Sequence, residues 1–368
     1  MSKRELKKML NFTVGPVQSY EETLELGKEQ VPYFRTEEFS RLMKENEKLI
    51  KQLFDCEEDG RSIFLTGSGT AAMEAVVINC FDEQDKVLVV NGGTFGQRFV
   101  QLCDRHNIHC EELQLKYGEE LTRQRLEDYK DRGIAGMLVQ LCETSTGVLY
   151  NMDMIGEFCK EQGIFLCVDA VSGFLADKFS MQAMHVDVAI TGSQKALALP
   201  PGMSIVVLNK RAVERVQTRN IQMMYFDFCE YLKDGERGQT PFTPAVSVLI
   251  QLNDRVKRIV ASGGASYENR IIKERAEYFR EKLQGLPLKI FVESKYRSSC
   301  VTAVEVVSGG YTAKELFNIL SKKYGIWVCP NGGELAERVF RVGHIGNMTK
   351  EDIDKLIEAL EDIYRGER

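Results

Sequence analysis

The chain has no apolar run approaching the ~20 residues that a membrane-spanning helix requires. Its opening, MSKRELKKML, is charged and lacks the long apolar stretch of a secretory signal. Cytoplasmic localisation with no membrane partner is therefore the expectation. A basic excess is missing too. Against 54 Asp and Glu stand 48 Lys and Arg, a net charge of −6, so counterion release offers no drive for binding nucleic acid. Histidine is scarce. The four, at positions 106, 109, 185 and 344, show no ligand spacing with the cysteines, and no metal site is expected. The ten cysteines include no C-x-x-C pair. Several lie in apolar runs, such as Cys167 in GIFLCVDAV, where thiols behave as small core residues and disulfides are not expected. No repeat or low-complexity stretch is visible.

What is present is ordinary globular composition over 368 residues, enough for two domains at ~150 residues each. From about 60 to 210, short Val/Ile/Leu-rich runs alternate with amphipathic segments. The runs are Ser62–Thr66, Lys86–Val90, Gly136–Leu141, Gly163–Val168, Val186–Thr191 and Ser204–Leu208. Apolar on both alternations, they predict buried parallel strands covered by helices on each face. The helices expected between them are Thr70–Cys80, Thr94–His106, Leu121–Asp131 and Asp153–Gln162. Beyond 240 the texture changes. Ala265–Leu283, Ala313–Lys323 and Lys350–Tyr364 predict helices; Lys289–Val292, Val301–Val307 and Arg338–Val342 predict strands. The expected fold is α/β, with a mostly parallel sheet in a large domain (21–250) and a smaller α+β C-terminal domain (251–368).

Three segments could carry chemistry. Thr66-Gly67-Ser68-Gly69-Thr70-Ala71-Ala72 follows a strand and opens a helix. Its glycines allow close backbone approach, and the N–H groups of a helix start bind phosphate. Asp169 ends a strongly apolar strand, where α/β proteins place their sites; there it can pair with a buried cationic nitrogen. Lys195, in TGSQKAL, lies just past another apolar strand and could form a Schiff base with a carbonyl cofactor. Taken singly, these segments read more readily as a capped turn, an N-cap and a surface lysine. Their order on one sheet joins them.

With the motifs TGSGTAAMEA, GGTFGQR, CETSTGVL, VDAVSG, TGSQKAL-x-x-PPG and FRVGHIG, the sequence resembles the class V group of fold-type I pyridoxal-5′-phosphate (PLP) enzymes. Within it the chain is similar to the alanine–glyoxylate, serine–pyruvate and 2-aminoethylphosphonate–pyruvate transaminases, from about Asn11 to the C-terminus. The resemblance implies that Lys195 holds PLP as an internal aldimine and then carries protons. It implies that Asp169 pairs with the pyridinium nitrogen, keeping the ring an electron sink. Phe95 would stack on the ring, with Val171 on the opposite face and Thr144 near the ring oxygen. Ser68, Gly69 and Thr70, helped by Gln194, would hold the phosphate. Thr243, in PFTPAV, matches a threonine that reaches the neighbouring subunit's PLP, which implies a homodimer with shared active sites. Arg341 matches the arginine that grips the substrate carboxylate, a role suited to its planar fork. Gly15 lies in a loop lining the pocket, within an N-terminal segment (1–20) expected to pack on the small domain.

The implied activity is transfer of an amino group from a small donor (alanine, serine or 2-aminoethylphosphonate) to pyruvate or glyoxylate by a ping-pong mechanism. Three departures touch the pocket rim: Leu141 where relatives carry histidine, Phe34-Arg35 where they carry His-Arg, and Thr240 where some carry tyrosine. Cysteine desulfurization, with Cys329 as persulfide carrier, is the nearest alternative. Gln194 before Lys195 speaks against it, because such relatives generally have histidine there. The alternative from a different class is a binding protein that keeps the fold without turnover.

Overall fold

The computed structural model describes residues 9–308 and 310–366. Seven strands form the central sheet: β1 (Arg61–Thr66), β2 (Lys86–Asn91), β3 (His109–Gln114), β4 (Gly136–Gln140), β5 (Phe165–Asp169), β6 (Val188–Gly192) and β7 (Met203–Leu208), in spatial order β1-β7-β6-β5-β4-β2-β3. All run the same way except β7, which is antiparallel to both β1 and β6. Alternate residues of one strand feed two cores. Val87 and Val89 meet α2 (Gly69–Cys80) and α3 (Thr94–Arg105). Leu88 and Val90 meet the other face, where α1 (Glu37–Leu53), α4 (Met152–Gln162) and α5 (Val246–Ala261) pack. Burial on both faces is why these strands are apolar throughout.

The sheet departs from the sequence reading at its edges. β3 was not among the expected strands. As HCEELQ at the sheet edge it buries only Leu113, so it carries no apolar signature. β5 begins at Phe165 rather than Gly163, because Gly163 takes a left-handed φ of 68° and ends α4. The helix expected over Leu121–Asp131 is the short turn Arg123–Glu127, capped by Thr122. Among the described residues, no helix is long and apolar enough to cross a membrane.

The C-terminal region is a second layer pair. Strands β8 (Leu288–Ile290), β9 (Val301–Val306), β10 (Cys329–Pro330) and β11 (Val339–Gly343) form an antiparallel sheet in the order β8-β9-β11-β10. Phe340 and Val342 of β11 pack against Phe279 of α6 (Gly264–Lys282), Leu316 of α7 (Ala313–Ile319) and Leu360 of α8 (Lys350–Arg365). The N-terminal segment joins this layer: Phe12 is buried in its core, and Leu10–Asn11 pairs with Ile326–Trp327. A domain boundary after residue 250 would cut α5, whose Leu249, Leu252, Val256 and Ile259 all belong to the large core. We propose that the division runs through α6 instead, since Ile272 packs in the large core and Phe279 in the small one.

Candidate active site

The carboxyl ends of the parallel strands gather most of the residues singled out above. β5 ends on Asp169, and the turn after β6 carries Ser193, Gln194 and Lys195. Lys195 is buried, and its Nζ donates to the Val14 carbonyl at 2.5 Å. Burial lowers its pKa below the usual lysine range, with Cys300 and Asp169 opposing. Asp169 is buried as well. Its Oδ1 accepts from the Val171 N–H at 2.9 Å. Burial pushes its carboxyl up to about 6, against the pull of that hydrogen bond and of the Lys195 charge. The two groups thus share one low-dielectric site and each senses the other.

The phosphate-loop candidate is the start of α2. Ser68 caps the helix by geometry, without a side-chain hydrogen bond, and its carbonyl accepts from Ala71 and Ala72. The first N–H groups of the helix have no intrahelical partner. A Cβ on Gly69 would lie 3.1 Å from Val171 Cγ2, so the loop and the end of β5 are in close approach. Thr70 Oγ1 accepts from Arg98 Nη1 at 3.1 Å, and the Arg98 guanidinium sits 4.9 Å from the centroid of the Phe95 ring. Phe95 opens α3 and remains partly exposed.

Glu143 fixes that helix start. One carboxylate oxygen accepts from the N–H groups of Phe95 and Gly96, both at 3.2 Å; the other accepts from Ser145 N–H at 3.1 Å and Ser145 Oγ at 2.6 Å. A carboxylate at a helix N-terminus satisfies orphan donors and complements the macrodipole. Beside it, Thr144 Oγ1 lies 2.6 Å from Ser172 Oγ. Arg341, on β11, donates from Nη1 to the Thr144 carbonyl at 3.3 Å and from Nη2 to the Pro330 carbonyl at 2.6 Å, while its Nε is buried without a partner. Gln194 accepts at its backbone carbonyl from Val17 N–H, and its Oε1 is also buried and unpaired. Gly15 touches the lysine: a Cβ there would come within 2.7 Å of Lys195 Cδ, and its φ of 126° favours glycine.

Thr243 stands apart. It is exposed on the segment that Arg35 holds through the carbonyls of Thr240 and Pro241, and no described hydrogen bond joins it to Lys195 or Ser68 within the chain. Cys329 sits half-buried in β10, paired with Arg341 of β11; a strand position does not supply the mobile loop a persulfide carrier needs. Two site residues escaped the sequence reading, Glu143 and Arg98. Arg98 had a legible signal, since it follows Phe95 by three residues on a helix and so shares its face.

This donor set suits a phosphorylated aromatic aldehyde: a buried amine, a buried acid with one bonded oxygen, a glycine-containing helix start without a side-chain cap hydrogen bond beside Arg98, and an aromatic face left partly open. The aminotransferase class-V family matches residues 17–356. The chain belongs to that family. An uncharacterized aminotransferase of Methanocaldococcus jannaschii is 31% identical over 97% of this chain and 92% of its own length. An L-aspartate–glyoxylate aminotransferase of Paracoccus denitrificans is 31% identical over 78% of this chain and 74% of its own. Among solved structures, an alanine–glyoxylate aminotransferase from Nostoc superposes with a TM-score of 0.91 at 29% identity, covering 96% of this chain and 95% of the other. This class-V aminotransferase is accordingly a pyridoxal-phosphate enzyme that exchanges amino groups between an amino donor and a small keto acid.

Proposed function

We propose that this aminotransferase takes its amino group from a small donor (alanine, serine or 2-aminoethylphosphonate) and gives it to glyoxylate or pyruvate, in two half-reactions of a ping-pong cycle. The observation that carries the reading is Arg341: its charge acts on the buried Lys195, and its Nε is buried and unpaired among the described residues. A planar, bidentate donor beside the reactive amine suits an α-carboxylate. A relative named for alanine with glyoxylate supports the same donor and acceptor, and one named for aspartate with glyoxylate supports the acceptor.

Bound at this site, pyridoxal 5′-phosphate supplies an aldehyde carbon and an electron-accepting ring. The chain does the rest. Lys195, its pKa lowered by burial, would hold the cofactor and then carry the substrate Cα proton at Nζ. Asp169 would hold a proton at the ring nitrogen. Phe95, Val171 and Thr144 would hold the ring. Ser68, Gly69, Thr70 and Gln194 would take the phosphate, with Arg98 adding positive charge behind Thr70. The Val14–Gly15 segment lies on Lys195 and excludes water from it. Thr243 of the partner subunit supplies a further hydroxyl to the phosphate, which makes the homodimer the active unit.

A screen of amino donors, following the bound cofactor's visible absorbance, tests this. The expected result is loss of the visible band with one of these small donors and its return with glyoxylate or pyruvate. Sulfide released from L-cysteine with alanine accumulating, or a band that no amino acid alters, would overturn it.

A further inference from the structure

The row of side chains on the α2/α3 face of the sheet contains one group that the chemistry above does not use. Gln140 ends β4 and is fully buried. Among the described residues, neither its Oε1 nor its Nε2 has a hydrogen-bond partner. Buried amides are almost always hydrogen-bonded, and one left open at both ends points to a missing neighbour. Its position says which. In the parallel ladder Gln140 is in register with Asp169 of β5, so the two side chains leave the sheet on the same face. Leu138, two residues earlier, and Cys167, two before Asp169, both lie in the core under α2 and α3 and fix that face. Glu143 holds the first turn of α3 on the same side.

Adjacent strands are about 4.8 Å apart, and no direct hydrogen bond joins the two side chains among the described residues. A single bridging molecule would join the two side chains. We propose that Gln140 is a positioning residue for Asp169: its Nε2 donates to one ordered water, which donates to the Asp169 carboxylate and keeps it turned and charged toward the ring nitrogen of the cofactor. Bridging waters of this kind act nearly as well as direct hydrogen bonds. The proposal rests on the assignment of Asp169 as the ring-nitrogen partner. The charged groups that face Asp169 are Lys195 from the turn after β6, Glu143 from the segment after β4, and Arg98 from α3; the first turn of α2 has no acidic side chain. Gln140 is the uncharged donor in this set.

The test is spectroscopic. A cationic ring nitrogen disfavours the proton on the Lys195 nitrogen, so weakening Asp169 lets that proton stay to higher pH. The holoenzyme variants Gln140→Met, which keeps the length without the donor, and Gln140→Leu are each expected to retain cofactor and move the pH midpoint of the visible band upward by about one unit. A merely structural role would change melting temperature and leave that midpoint alone. Either folded variant titrating at the wild-type midpoint overturns the proposal. Asp169→Asn is the control. If it moves the midpoint and the Gln140 variants do not, the Gln140 role fails alone; if it does not move the midpoint, the Asp169 assignment fails first. A crystallographic map of the wild-type holoenzyme gives an independent check: a water within reach of both side chains is expected, and its absence overturns the bridge.

Discussion

Two buried aspartates sit at opposite rims of the central sheet and are treated oppositely. Asp187, just before β6, accepts from Leu166 N–H at 2.8 Å, Asn209 Nδ2 at 3.0 Å and Arg211 Nη1 at 3.2 Å. Asp169, at the far end of β5, has the single Val171 N–H. Burial raises both carboxyls, but at Asp187 a cation and several donors answer it. A cleft of about 410 Å³ opens beside Asp187, yet Arg211 and His185 there already have carboxylate partners. At the other rim Gln140, Gln194 and Arg341 keep unpaired polar atoms among the described residues, whereas Asp187 itself is fully answered; Ser62 Oγ and Arg219 Nε are open at the Asp187 end as well. The state of the aspartate, more than cavity size, separates the rim that holds the candidate site from the other.

The sharpest break in that comparison is Lys195→Ala. It is expected to abolish the visible cofactor band and lower transamination by at least about 10³-fold, measured by absorbance and coupled assay. Nothing at the Asp187 rim should approach this.

Next come the aspartates themselves, whose expected stability effects have opposite signs. Asp169 has a folded pKa of about 6 against 3.8 for the ordinary carboxyl. As a neutral acid it contributes stability that is fully present below about pH 3.8 and lost as pH rises through about 6; above that, the buried charge is a cost. Asp169→Asn should therefore make the cofactor-free protein more stable at pH 7 by about 1–3 kcal/mol, with the gain vanishing toward pH 4, while kcat falls about 10²-fold or more. Asp187→Ala should lower stability by about 2 kcal/mol by stranding the Leu166 N–H and its other donors, leaving kcat within about twofold. Urea unfolding at pH 4 and pH 7 with steady-state kinetics resolves both.

A smaller effect is expected from Arg341→Ala. Losing a charged hydrogen bond worth about 1.5–3 kcal/mol should raise KM for carboxylate substrates about 10- to 100-fold with cofactor affinity little changed. An unchanged KM in a substrate titration would remove Arg341 from the binding role.

The same contrast explains what the sequence could show. Lys195 and Asp169 were legible because each follows an unbroken apolar strand, and strand ends of that kind are where α/β folds put chemistry. The six central strands were legible because burial on both faces leaves little polar sequence in them. β3 was not, since an edge strand with one buried residue looks like a loop. Nor was the reversal of β7, because direction leaves no mark on composition. Glu143 was read only as part of a motif; its grip on Phe95 and Gly96 comes from the fold bringing the segment after β4 to the start of α3. Gln140 was invisible for a related reason. Its meaning lies in the register that sets it beside Asp169, and register is a property of two strands. Thr243 carries a family match, while the single chain shows it only as an exposed residue.

The central claim is that the amine at 195 is the one that holds the cofactor. Borohydride reduction of the holoenzyme followed by peptide mass mapping tests it most directly. The account predicts a pyridoxyl phosphate adduct on the peptide bearing Lys195. An adduct on a different lysine, or none on any, would contradict it.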